Sequence, residues 1–132
     1  MVKKFPYSRQ KILKQDIVAV NKVLKSSYLT QGPAVKEFEN KVSKKVNVKY
    51  AVAVNSATSA LHISCLALGL KKNDLLWTVP TTFVASANCG VYCGADVDFV
   101  DIDEKTFNID VNKLSEKLKK SKRKPKILVT VH

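Results

Sequence analysis

Apolar and polar positions along this chain switch period several times, and each switch marks a predicted element. Ile12, Val20, Val23 and Leu24 recur at helical spacing, which predicts a first helix from about Ser8 or Lys11 to Ser26. Pro33 suits the first turn of a second helix, whose Val35, Phe38, Val42 and Val46 repeat at threes and fours. Ala51 to Val54 is short, apolar and partly β-branched, as a buried strand would be. A helix from Ala60 follows, with Leu61, Cys65 and Leu68 on one face and Gly69 placed to stop it. Leu75 to Val79 predicts a second strand, stopped by Pro80, and Phe83 to Tyr92 a helix ended by Cys93 and Gly94. Val97 to Ile102, Asp110 to Lys120 and Lys126 to Val131 predict a strand, a helix and a last strand.

Strands that alternate with helices, without tight hairpin signals, predict an α/β fold with a mainly parallel sheet flanked by helices. Ligands of such sheets sit beyond the carboxyl ends of the strands. That edge gathers Asn55–Ser59, Pro80–Phe83 and Asp101–Asp103. Between the Ala51–Val54 run and the following helix stand five small residues, Asn55-Ser56-Ala57-Thr58-Ser59. A strand, a small polar turn and a helix start aim free N–H groups at an anion, so this stretch reads as a phosphate cup. A simple helix cap by Asn55, Ser56 or Thr58 fits the same residues. The stretch is neither a P-loop nor a GxGxxG motif.

Composition changes this picture little. At 132 residues and 45% hydrophobic, the chain can bury a core. No apolar run reaches membrane-spanning length and no signal-peptide core follows Met1, which points to a cytoplasmic protein without a membrane partner. Three cysteines fit free thiols in a reducing compartment, and Cys89 and Cys93 lack the companions of a metal site, so no metal is expected. The net charge of +12 raises the alternative of a basic α/β module that binds an acidic partner such as RNA. Most lysines are scattered along helices, and the run Lys119–Lys126 lacks interleaved aromatics. A solvated loop is the simpler reading there, and nucleic acid is not the expected partner.

Five segments in register then carry a family resemblance: Tyr7-Ser8-Arg9-Gln10, Leu29-Thr30-Gln31-Gly32-Pro33, Asn55 to His62, Val79 to Asn88, and Phe99-Val100-Asp101-Ile102-Asp103. Together they resemble the DegT/DnrJ/EryC1/StrS family of pyridoxal-phosphate-dependent sugar aminotransferases. The resemblance implies the fold-type I aminotransferase large domain, of which residues 1–132 would form the N-terminal arm and first part. It implies a homodimer, pyridoxal 5'-phosphate (PLP) as cofactor, and a nucleotide sugar and an amino-acid donor as substrates. It matches Ala57, Thr58 and Ser59 to the cofactor-phosphate segment and Phe83 to the aromatic against the pyridine ring. Tyr7, Ser27, Tyr28, Leu29 and Thr30 match positions lining the sugar-nucleotide or cofactor site. No lysine here matches the family's covalent anchor, which is expected beyond His132, so no catalytic residue is assigned. Asp101 and Asp103 read as turn and cap residues, and His62 as a packed or partly exposed histidine.

Overall fold

A computed structural model describes residue 6 and residues 8–131; the Tyr7 assignment lies outside them. The chain divides into two compact units, Met1–Ala53 and Val54–His132.

The first unit holds α1 (Lys14–Leu24) and α2 (Pro33–Lys45). Helix α1 begins where the Asp16 carboxylate accepts the Leu13 N–H at 2.7 Å, satisfying a donor that the helix cannot. Helix α2 begins on Pro33, whose missing N–H costs nothing at that position. The expected strand at Ala51–Val54 does not form. Tyr50 and Val52 are exposed, and Ala53 N–H donates to the Glu39 carboxylate at 3.1 Å. The local pattern favours a strand, but no described segment offers it a ladder partner, and propensity alone does not make a strand.

The second unit is a three-layer α/β sandwich. Its elements are α3 (Ala57–Ala67), β1 (Leu75–Thr78), α4 (Ala85–Tyr92), β2 (Asp96–Phe99), α5 (Val111–Lys120) and β3 (Ile127–Leu128). The sheet is parallel in the order β2-β1-β3, with Leu76 opposite both Val97 and Ile127. Strand β1, central and buried throughout, sends successive side chains to opposite faces. Leu76 packs with Cys65 of α3 and Cys89 of α4, while Leu75 and Trp77 pack on Val100 with Leu114 and Leu118 of α5. Helices therefore cover both faces, as a parallel sheet requires. The last strand, expected over Lys126–Val131, shortens to two residues because among the described residues it pairs on one side only.

Glycines end two helices. Gly69 (φ 72°) and Gly94 (φ 73°) take the left-handed conformation just past α3 and α4. The next N–H in each case, from Leu70 and Ala95, reaches back to the carbonyls of Cys65 and Gly90. The thiols of Cys65 and Cys89 are core, and burial pushes the Cys65 thiol up to about 12, so it packs rather than reacts.

The basic run is partly consumed in holding the amino edge of the sheet. Arg123 pairs with Asp96 at 2.5 Å and donates to the carbonyls of Asn73 and Asp74. Lys126 pairs with Asp74 at 2.8 Å and caps the Gly69 carbonyl at the α3 exit. Along α5, Lys117 pairs with Asp98 at 2.5 Å and Lys113 with Asp101 at 2.8 Å, and Lys117 also lies over the Trp77 ring. Hydrogen bonds from Lys126, Lys117 and Lys113 hold the carboxyls of Asp74, Asp98 and Asp101 below the ordinary range. Depressed carboxylates stabilise the fold above the unfolded pKa of about 4, and that contribution disappears as pH falls through the folded values. Thermal melts are expected to show Tm falling between pH 5 and pH 3, with a smaller fall in Asp98→Asn. Because Asp98 and Asp101 are more than half exposed, added salt should shrink their part of the effect.

Candidate functional site

Topology puts one open crevice at the carboxyl edge of the sheet. The loop leaving β1 feeds α4 on one face, whereas the loop leaving β2 leads to α5 on the other. Adjacent strands whose exits part in this way leave a cleft between them, where ligands of open α/β sheets bind. Helix α3 ends at the amino edge, where Lys126 holds Gly69, so its start lies at the opposite, carboxyl edge. Helix α4 packs against α3 and likewise ends at the amino edge, beside Lys72. Both helix starts thus face the same rim.

The stretch that the sequence reads as a phosphate cup is the first turn of α3 rather than a loop before it. The sequence pattern placed the helix start at Ala60; the structure starts it at Ala57, because Ser56 caps it. Ser56 is extended (φ −160°), and its Oγ accepts the Ser59 N–H at 3.1 Å. Ser59 Oγ donates to Asn55 Oδ1 at 2.7 Å and lies 3.1 Å from Ser56 Oγ. The capping reading is therefore correct for Ser56, and it leaves the rest of the turn available. The N–H groups of Ala57 and Thr58 have no acceptor among the described residues: the helix itself offers them none, and the Ser56 cap takes the Ser59 N–H instead. Thr58 and Ser59 are half-buried and Ala57 exposed, with no acidic side chain in the turn. Two free N–H donors, nearby hydroxyls and the positive end of a helix dipole fit a phosphate ester.

Phe83 stands on the β1–α4 connection at the same rim and is 72% exposed. An aromatic so exposed is not the core residue that its position at a helix start would suggest. Behind it, Thr82 and the buried Ser86 share a hydrogen bond at 3.1 Å, and Thr78 Oγ1 donates to the Val129 carbonyl at 3.0 Å, which ties the loop base to β1 and β3. Asp103 accepts the N–H groups of Lys105 and Thr106, a turn role as read from the sequence. His62 sits edge-on to Tyr92 with ring centroids 5.4 Å apart.

Ser27, Tyr28, Leu29 and Thr30 lie in the first unit, on the connection between α1 and α2. Ser26 fixes this bend: its hydroxyl donates to the Val23 carbonyl at 2.7 Å and accepts the Tyr28 N–H at 3.3 Å. Tyr28 and Leu29 are both exposed. Gly32 is required beside them, since a Cβ there would come within 2.7 Å of Tyr28 Cβ. Two features escaped the sequence reading: the Asn55–Ser59 bond, and the clamp of Lys113 and Lys117 on Asp101 and Asp98. The i, i+4 spacing of the two lysines was the available signal for the clamp.

Residues 10–132 match the model of the DegT/DnrJ/EryC1/StrS aminotransferase family. The chain is 46% identical over 115 residues to the UDP-4-amino-4,6-dideoxy-N-acetyl-beta-L-altrosamine transaminase of Campylobacter jejuni, covering 87% of this chain and 30% of that protein. It is 35% identical over 114 residues to the GDP-perosamine synthase of Escherichia coli O157:H7, again covering 30% of the relative. Among solved structures, a sugar aminotransferase from Streptococcus pneumoniae in its PLP form superposes with a TM-score of 0.81 at 31% identity, over 86% of this chain and 29% of that one. A GDP-4-keto-6-deoxymannose-3-dehydratase reaches a TM-score of 0.85 at 28% identity, over 96% and 34%. The chain thus spans about a third of the length of these relatives. With the family match running from residue 10 to residue 132, the chain belongs to the DegT/DnrJ/EryC1/StrS aminotransferase family.

Proposed function

We propose that this chain supplies cofactor-phosphate, ring-face and part of the sugar contacts of a PLP-dependent aminotransferase acting on a nucleotide-linked keto sugar. The observation that carries it is the uncapped pair of N–H groups at Ala57 and Thr58, beside the Ser59 hydroxyl, at the rim where Phe83 stands exposed. Ala57, Thr58 and Ser59 hold the phosphate: two backbone donors, two hydroxyls and the helix dipole stabilise its negative charge. Phe83 offers an apolar face to a planar ring. Ser27, Tyr28, Leu29 and Thr30, with Tyr7, contact the sugar nucleotide. The chemistry PLP supplies is an electron sink for moving an amino group. The residues named here bind and orient; none is assigned a proton to move, and none of the lysines in this sequence is assigned as the covalent anchor.

In its finer form the proposal names a UDP-linked 4-keto-6-deoxy sugar as acceptor, on the route to pseudaminic acid, with L-glutamate as donor in a cytoplasmic homodimer. The 46% identity to the altrosamine transaminase supports that choice over the GDP-linked relative at 35%. The test is amination of UDP- and GDP-linked 4-keto-6-deoxy sugars by the full-length protein with glutamate, read by mass spectrometry. An amino product from the UDP-linked sugar supports the reading. Loss of a hydroxyl without gain of nitrogen would place the protein with the dehydratase instead.

A further inference from the structure

Among the described residues, the buried polar side chains are those of Thr78 and Ser86, at 0% and 7% exposure. A buried hydroxyl is costly unless it is paired, and both are. They bracket a single connection: Thr78 ends β1, Ser86 lies in the first turn of α4, and residues 79–84 run between those elements. That connection carries Phe83, whose 72% exposure leaves packing too weak to fix its direction. The backbone that bears the ring must fix it instead.

Ser86 holds that backbone at two successive residues. Its N–H donates to the Phe83 carbonyl at 3.0 Å, and its hydroxyl shares a hydrogen bond with the Thr82 hydroxyl at 3.1 Å. The first bond would form with any residue but proline at this position, whereas the second needs a hydroxyl. On its inner side the Ser86 carbonyl accepts the Cys89 thiol at 3.3 Å, and Cys89 packs in one core cluster with Leu76 of β1. A continuous set of contacts therefore joins the sheet to the peptides at Thr82 and Phe83.

We propose that Ser86 is a positioning residue: through Thr82, its hydroxyl holds the connection so that Phe83 presents its face to the cofactor ring. This deepens the proposed function and rests on its reading of Phe83. An exposed aromatic on a loose loop would have to be ordered when the ring binds, and ordering it would offset part of the contact. Fixing it beforehand avoids that loss.

The test is a double-mutant cycle on the full-length protein, titrated with PLP by absorbance and with inorganic phosphate by calorimetry. Thr82→Val is combined with Ser86→Ala, because removing both hydroxyls deletes the bond without leaving either one unpaired, and thermal melts should change little. The combined variant is expected to bind PLP about threefold to tenfold more weakly, with a changed visible circular dichroism of the bound cofactor and unchanged phosphate binding. Thr82→Ser, which keeps the hydroxyl, should retain PLP binding. In Phe83→Ala, itself weakened about tenfold, the combined change should cost nothing further. Unchanged PLP affinity in the combined variant, an equal loss with and without Phe83, or an equal loss for phosphate and PLP would overturn the proposal. Phe83→Ala without effect on PLP would overturn the ring-face reading itself, and the positioning role with it.

Discussion

Ser59→Asp is expected to weaken binding of a phosphate-bearing cofactor by at least about a hundredfold while leaving the fold intact. The substitution separates the two readings of the α3 start, because they predict opposite signs. As a helix cap, the turn gains from an acidic residue: a carboxylate in the first turn interacts favourably with the helix dipole, by about 0.3–1 kcal/mol. The Ser59 N–H bond to Ser56 Oγ is kept, since it uses the backbone. As a phosphate cup, the same carboxylate sets a negative charge beside the free N–H groups of Ala57 and Thr58 and removes the Ser59 hydroxyl, which would turn from Asn55 Oδ1 to donate to the phosphate. Repulsion and the lost bond together should weaken PLP binding by at least about a hundredfold, or about 2.8 kcal/mol. Ser64→Asp, an equal charge on the exposed side of the same helix, should leave affinity unchanged. Absorbance titration with PLP, alongside thermal melts, measures both signs.

The largest effect on stability is expected at Trp77. Its side chain is 1% exposed at the centre of the sheet, against Leu75, Val100 and α5. Trp77→Ala leaves a cavity that two helix-capped faces cannot close, and should cost about 3–5 kcal/mol. That is a large share of the roughly 5–15 kcal/mol of a typical domain. The indole Nε1 has no hydrogen-bond partner among the described residues, so the ring's value here is packing and its stacking under Lys117. Trp77→Phe should therefore lose much less than Trp77→Ala, because it keeps a ring and removes an unpaired donor. Denaturation followed by circular dichroism decides this; a phenylalanine variant as damaged as the alanine one would refute the account of the core.

The features that sequence reading located well are those with a local cause. Pro33 at the first turn of α2 and Gly69 and Gly94 after α3 and α4 each act within a few residues and stand where expected, and Asp110 falls one residue before α5 as its cap rather than inside it. The mostly apolar run Leu75–Val79 was legible as a buried strand because both faces are covered. Two errors have a nonlocal cause. Ala51–Val54 has the right residues for a strand but no described neighbour to pair with, and the last strand is cut to Ile127–Leu128 for the same reason. The α3 start was misplaced by three residues, since small polar residues suit a loop and a first helical turn equally until the cap is known. Ser56 settles that choice through a single bond.

The candidate site shows the same division. Asn55–Ser59 read as a phosphate cup from its residue types, Phe83 as a ring-face aromatic only through the family resemblance, and the structure sets both at one sheet edge. The fate of the basic run was not legible, because Arg123 finds Asp96 and Lys126 finds Asp74 across long sequence separations. With those two residues bound to the sheet's own amino edge, the run offers fewer free cations to a polyanion than its sequence suggests.

The measurement that tests the central claim most directly compares PLP with pyridoxal, which lacks the phosphate, in equilibrium titrations of the full-length protein. A phosphate cup at Ala57–Ser59 predicts much tighter binding of PLP, by about a hundredfold or more, with the difference lost in Ser59→Asp. Equal affinity for the two compounds, or a preference that survives Ser59→Asp, would contradict it.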